Sequence, residues 1–425
     1  MDYSQYPRND VLCVDMRSFY ASVEAVRLGL DPNSTLLAVV GDLSRPGSIV
    51  LATSPALKKK YHLQNVSRFF ELPKDPTIHL IEANMADYVH TSIEITKLLY
   101  RFAPQEAIHQ YSVDEVWVTV NGLEKLFGKR WEVAVKIKKT IWEELGLPSA
   151  IGIGDNKFLA KVVLDLHAKK APSGIAECTY EDVREKLWPV PVEKIWGIGS
   201  RMKRNLYRLG ITTLGQLAQF PLGQLKQQFG VMGEQLYWHA WGIDLSPVFG
   251  DFLKTEQKSF GHGISLLRDY RGDEVSVVIL DLCEEACRRA RTARKVGKTI
   301  HLTIGYSEEA GGFSRSTSVD IPTNITLEMY EVCLNLFEHY YDHYSKIRRV
   351  SVTLTNLYDD TDTQLDLFSE RTKQKDIGYT MDYIRERFGA TAILRAASYT
   401  DAGISVERSK KIGGHWAKSD RKGKQ

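Results

Sequence analysis

Residues 108–120 read IHQYSVDEVWVTV. Two runs of β-branched and aromatic residues, IHQYS and VWVTV, flank an Asp–Glu pair. In a regular strand Asp114 and Glu115 would face opposite ways. A tight hairpin turn over Ser112–Glu115 would instead push both carboxylates outward together. Adjacent carboxylates repel, so one titrates high unless a cation lies between them. A hard divalent ion such as Mg2+ suits such oxygen ligands. Holding two ions needs one more carboxylate, and Asp15 offers it. Val11–Val14 is an apolar run that reads as a buried strand ending at Asp15, before a helical pattern over Ala21–Leu28. A lone acid at a strand end is costly unless paired or metal-bound, although it could equally cap the following helix. Two strand ends that each present acid favour the metal reading.

The chain has 425 residues, too many for one core, so three or four domains are expected. A net charge of +3 gives no global pull on a polyanion, and local patches must supply it. Five cysteines are an odd count without framework spacing and read as reduced thiols in a cytoplasmic protein. The N-terminus lacks a signal-peptide pattern, and no apolar run approaches membrane-spanning length, so no membrane partner is expected.

Strands are expected in LLAVVG and SIVLAT (36–53) and in IHLIEAN (78–84), with a short helix at SPALKKKYHL between them. Longer helices are expected over Met85–Phe102 and Trp131–Leu145. A strand and a Gly-X-Gly turn then open a helix carrying Lys157 and Lys161 at i, i+4. Two lysines near a helix N-terminus suit a triphosphate, and no P-loop is present. These elements alternate as a mixed sheet with helices on one face.

Residues 175–243 change character. Gly197-Ile-Gly199 and Gly230-Val-Met-Gly233 each join short helical patterns, as in helix-hairpin-helix units, where glycine lets backbone N–H groups approach a phosphate. Arg201, Lys203 and Arg204 flank the first. From Lys258 the pattern is β-α-β-β-α-β. Its first helix ends in a basic cluster, Arg288, Arg289, Arg291, Arg294, Lys295 and Lys298, suited to a nucleic-acid backbone. Cys283-x3-Cys287 and His339-x3-His343 have helical spacing but no third ligand nearby, and read as packing or solvent-facing pairs. Past Tyr358 the chain turns acidic, and Gln364-Leu365-Asp366-Leu367-Phe368 reads as a docking peptide with apolar anchors. One helix is expected after that (Ile377–Phe388), then a disordered basic tail, GGHWAKSDRKGKQ.

Asp15-Met-Arg-Ser-Phe-Tyr20-Ala-Ser-Val-Glu24, Ser112-Val-Asp114-Glu115 and Gly154-Asp-Asn-Lys157-Phe-Leu-Ala-Lys161, in that order, resemble a Y-family lesion-bypass DNA polymerase of the UmuC-type bacterial branch. The resemblance implies an α+β right hand. The palm would be 1–28 and 83–171, the fingers 29–82, the helix-hairpin-helix thumb 172–243 and the linker 244–254. The little finger would be 255–358, and 359–425 a tail. It implies that Asp15, Asp114, Glu115 and the Met16 carbonyl hold two Mg2+ ions. Tyr20 would be a steric gate against ribonucleotides, and Lys59 and Lys161 would contact the triphosphate. Gln364–Phe368 would bind the sliding clamp, and the substrates would be primer–template DNA and dNTPs. The protein would work as a monomer, with accessory proteins possible partners. Arg17 departs from the family pattern, as does Ala56 in place of the usual fingers tyrosine. A non-catalytic DNA- and clamp-binding scaffold is the alternative, but it would be expected to have lost the metal carboxylates. A nucleotidyl cyclase would need neither thumb, basic little finger nor clamp peptide.

Overall fold

The structure is a computed structural model that describes residues 1–63, 68–252, 254, 256–307, 311–361 and 371–418. It divides into two compact units, Met1–Lys254 with His415–Gln425, and Thr255–Gly414.

In the first unit, β1 (Val11–Met16), β5 (Ile108–Gln110), β6 (Glu115–Thr119), β7 (Ser149–Gly154) and β8 (Ile175–Cys178) form a sheet in the order β5-β6-β1-β7-β8. One face carries Leu12, Val14, Val116, Val118, Ile151 and Ile153 into the main core, under α1 (Phe19–Arg27), α3 (Met85–Leu99) and α5 (Arg130–Leu145). This apolar burial is what holds the sheet register, because a one-residue slip would expose every inward side chain. The other face is not bare, as expected, but lies under α6 (Lys157–Val163). A Cβ on Gly152 would lie 2.1 Å from the Ala160 carbonyl oxygen, and one on Gly154 would lie 2.4 Å from the Ala160 nitrogen. The two glycines are thus strand residues that let a helix lie against the backbone, not a phosphate-binding turn.

The expected single mixed sheet is in fact two. β2 (Leu37–Val40), β3 (Val50–Thr53) and β4 (His79–Glu82) form a separate three-stranded sheet in the order β3-β2-β4. Its helix α2 (Pro55–Tyr61) starts at Ser54, whose hydroxyl accepts from the Leu57 N–H. α4 (Glu124–Phe127) is a single turn. Helices α7 (Ser200–Arg208), α8 (Leu214–Gln219), α9 (Leu222–Phe229) and α10 (Val231–Ala240) share a core with Phe158, Leu159 and Val162 of α6.

The second unit has β9 (Ser259–Tyr270), α11 (Gly272–Thr292), β10 (Lys295–Tyr306), β11 (Gly312–Thr323), α12 (Thr326–Tyr340) and β12 (Ile347–Asp359). Its antiparallel sheet runs β11-β10-β12-β9, with both helices on one face. This is the β-α-β-β-α-β order that the sequence pattern predicts.

The expected tail is corrected. α13 spans Arg371–Phe388, beginning six residues before the expected Ile377, and the chain as far as Gly414 belongs to this unit. Arg385 and Arg395 donate to Glu284 of α11 at 3.1 and 2.8 Å, and Ser398 donates to Asp281 at 2.5 Å. Nor does 413–425 read as wholly disordered. Ala417 lies on the first unit, where its carbonyl accepts from the Ala86 N–H at 2.9 Å.

Candidate active site and nucleic-acid interface

The hairpin forms, but its turn is Tyr111–Asp114, closed by the Tyr111 and Ser112 N–H groups on the Glu115 carbonyl. Glu115 is therefore the first strand residue. It stands directly opposite Asp15 on β1, and the Met16 N–H donates to the Asp114 carbonyl at 3.0 Å. Directly paired residues share a face, with Cβ atoms about 5 Å apart. The β1–β6 pairing thus brings Asp15 to the adjacent Asp114 and Glu115, far along the sequence, at one end of the sheet.

Lysines from α6 and the turn beyond it answer these charges. Lys161 Nζ lies 2.7 Å from Glu115 Oε1 and 3.1 Å from Asp165, and Lys169 Nζ lies 2.9 Å from both Asp15 and Asp165. Lys169 was not anticipated. After Val163 the helix widens to a π-turn over Leu164–Ala168, which sets where Lys169 falls. Cys13 donates its thiol to Glu115, and Asp114 accepts from Ser112 Oγ at 2.6 Å. Burial, only partly offset by Lys169, lifts Asp15 to about 6, with Asp114 and Glu115 adding to the rise. Among the described residues no three His, Cys, Asp or Glu side chains already converge as a metal cage. The donors are nevertheless all hard oxygens at one strand end, the chemistry that a hard divalent ion prefers. A cation there would also relieve the repulsion that raises Asp15.

Tyr20 is half-buried. Its ring stacks on Tyr88 with centroids 4.4 Å apart, and Tyr88 donates to Glu24 at 3.0 Å. The ring is thereby fixed from behind by two residues that the sequence pattern did not single out.

Two expected residues, Lys157 and Arg291, are placed elsewhere. Lys157 is buried, with Nζ 2.9 Å from His109 Nδ1 and 2.5 Å from the Pro247 carbonyl. It anchors the connector after residue 243, not a triphosphate, and burial lowers it to about 8. Lys59 is solvent-exposed. It is Lys58 that turns inward, 3.4 Å from Ser18 Oγ. Arg291 is buried at 1% side-chain exposure, paired with Asp382 and Glu284, so it holds α13 to α11 and is not available to DNA.

Other expected contacts remain accessible. Gly197, in the left-handed region at φ +90, and Gly199, which caps α7, lie exposed with open space around them, and Arg201 is exposed beside them. Arg288 and Arg289 are partly exposed and share Glu285, Arg294 is exposed, and Lys295 pairs with Asp359. Gln364, Leu365, Leu367 and Phe368 lie outside the described residues.

The uncovered face of the four-stranded sheet was missed altogether. Register places Ser318, Thr299, Thr355 and Ser259 in one row across it. Ser316, His301, Thr353 and Gly261 form the next row, and Ser314, Thr303, Ser351 and Gly263 a third. The signal was present as alternating polar positions in TIHLTIG and SVTLT. The cysteine pair is as expected: Cys283 packs on Cys333 and Cys287 on Met329, and all five cysteines are free. His339 and His343 are both exposed, but α12 ends at Tyr340, so His343 is not on the helix. Among the described residues no helix is long and apolar enough to cross a membrane.

Comparison with known proteins gives the same picture. Residues 14–165 match the impB/mucB/samB family, residues 257–367 its C-terminal domain, and residues 193–244 the thumb domain of DNA polymerase iota. The UvrX protein of Bacillus subtilis, named for UV-damage repair, is 51% identical over 98% of this chain and 99% of its own. DNA polymerase IV 2 of Bacillus subtilis is 41% identical over 96% and 98%. A Y-family DNA polymerase chimera superposes with a TM-score of 0.65 over 82% of this chain and 99% of its own, at 23% identity, which speaks for the fold. The chain belongs to the impB/mucB/samB family, the Y-family DNA polymerases. Within that family it is a DNA-directed DNA polymerase of the lesion-bypass class.

Proposed function

We propose that the chain extends a primer 3′-end opposite damaged template bases by nucleotidyl transfer assisted by two Mg2+ ions. The observation that carries this reading is the cross-strand pairing of Asp15 with Glu115 beside Asp114. Asp15, Asp114, Glu115 and the Met16 carbonyl would hold the metal. Metal held there would supply acidity to the primer hydroxyl and offset charge on the triphosphate. Lys161 and Lys169 hold the acids in place before substrate arrives. Lys58, turned toward Ser18, and Lys59 would place positive charge where phosphate charge builds. Tyr20, backed by Tyr88, would exclude a ribose 2′-hydroxyl.

DNA would lie on the hydroxyl face of the four-stranded sheet. Serine and threonine donate to phosphate oxygens without reading sequence. Arg288 and Arg289, beside Gly261 and Thr353, would flank it. Gly197, Gly199 and Arg201 would hold the backbone from the helical region. Gln364–Phe368 would dock on the sliding clamp, and the protein would act in the cytoplasm.

Primer extension beside a gel shift tests the catalytic assignment. Asp114→Asn is expected to abolish nucleotide addition and keep DNA binding; normal extension by this variant overturns it. Deleting 364–368 should remove clamp stimulation and spare synthesis on short primers.

A further inference from the structure

The Met1–Lys254 unit carries a second cleft, about 550 Å³ in volume, outside the machinery described above. α5 forms one wall. Its buried stripe is Val133, Ala134, Ile137 and Ile141, but a second stripe, Trp131, Val135 and Trp142, stays 40, 45 and 46% exposed. Pro148 and Pro172 form the opposite wall. Large rings left in water on an otherwise packed helix mark an interaction surface more often than chance.

The charge around this apolar floor is all of one sign. Arg17, Lys138 and Lys139 line the cleft, and no acid does. Lys139 is shared with Glu143 at 3.6 Å, and Lys138 donates to the Ser149 carbonyl at 2.7 Å. Arg17 is half-buried, and its guanidinium makes no hydrogen bond or ion pair with any described residue. Lys58 and Lys138 both sense its like charge behind the larger effect of their own burial. A partly exposed guanidinium with no carboxylate partner among the described residues is placed to take an anion from outside.

We propose that this cleft docks a short acidic peptide of an accessory protein, with carboxylates on Arg17, Lys138 and Lys139 and apolar side chains on the two tryptophans. Single-stranded DNA is the competing anion, since aromatic rings and cations also suit it. The outer surface of α5 disfavours it: Glu132, Glu143 and Glu144 are exposed there and would repel a polyanion extending past the cleft. A short peptide confined to the cleft meets only Glu143, which Lys139 already pairs. The site also touches the catalytic strand. Arg17 directly follows Met16, and its backbone N–H donates to the Pro148 carbonyl at 2.8 Å. An occupant would thus sit next to the strand end that carries Asp15.

The test uses the full chain and a fluorescein-labelled synthetic peptide, DDSDSLDGLF, which combines four aspartates with three apolar side chains. Fluorescence anisotropy should show saturable binding. Trp131→Ala with Trp142→Ala should weaken it at least tenfold and Lys139→Glu several-fold. The double tryptophan variant should keep its circular-dichroism melt and its rate of short-primer extension, so that loss of the cleft is separated from loss of the fold or of catalysis. A peptide with lysine in place of each aspartate should not bind. The proposal is overturned if the parent shows no saturable binding, or if the double variant binds as the parent does. It is also overturned if oligo(dT) displaces the peptide and itself loses affinity in the double variant, which would assign the cleft to single-stranded DNA.

Discussion

In the five-stranded sheet, the face away from the main core carries Asp15 and Glu115 beneath α6, each matched to a lysine within 3 Å. In the four-stranded sheet, the face away from the helices carries mostly serine, threonine and glycine, with His301 and Arg349 among them. Charge is gathered at the proposed catalytic end and sparse on the face proposed for DNA. Buried charges interact strongly because the surroundings screen them poorly, which suits chemistry at one point. Neutral hydroxyls bind phosphate weakly and without sequence preference, which suits a surface along which DNA must move.

Substitution in the charged face should have the larger consequences. Glu115→Gln is expected to cut primer extension by at least a thousandfold, because it removes a proposed metal ligand and leaves Lys161 beside a neutral amide. An extension rate within tenfold of the parent would break the contrast at its root. Tyr20→Ala should lower discrimination of dATP against ATP by about a hundredfold, while Tyr88→Phe, which removes only the bond to Glu24, should lower it a few-fold; single-nucleotide incorporation reads both. Glu284→Ala separates structural from functional charge in the other unit. It takes the carboxylate from Arg395 and leaves Arg291 and Arg385 with only Asp382, and truncating one partner of a buried network costs about 3–5 kcal/mol, so denaturant unfolding should show a clear loss of stability. On the neutral face, Ser316→Asp with Thr353→Asp should weaken DNA binding by about tenfold, whereas the same two positions as alanine should change it less than threefold.

The smallest effect is in pH. Asp15 holds its proton more tightly folded than an ordinary carboxyl does, up to about 6. Its contribution to stability is therefore fully present below the usual carboxylate range and is lost as pH rises through about 6. Metal-free Asp15→Asn should then be as stable as the parent or more so above that pH, by at most about 3 kcal/mol. Activity runs the other way: kcat/KM should fall below pH 6, and more Mg2+ should move the midpoint to lower pH because metal and proton compete.

Much of this contrast was legible in the sequence. Alternation and apolar runs gave the hairpin, the buried strand at Asp15 and the β-α-β-β-α-β order, because periodicity records which face is buried. Spacing served less well for single side chains. Lys157 and Lys161 share one helical stripe, yet one meets Glu115 and the other meets a connector ninety residues away that no local pattern announces. Lys169 depends on a π-turn, which leaves no periodic trace. Arg291 sat inside a basic cluster, but its partner Asp382 lies 91 residues downstream. Counting cations finds patches, and it misses both the cations already neutralised from afar and the hydroxyl face, whose next row adds Arg349 to the serines and threonines.

The rows of serine and threonine have a bearing on friction. A surface studded with arginine would seize each phosphate in a deep well, and advancing by one nucleotide would mean breaking several ionic contacts together. A ladder of interchangeable hydroxyls repeats with the strands and offers many shallow, nearly equivalent footholds. A duplex held there would shift register with little resistance, and the salt dependence of its binding would come from the flanking Arg288 and Arg289.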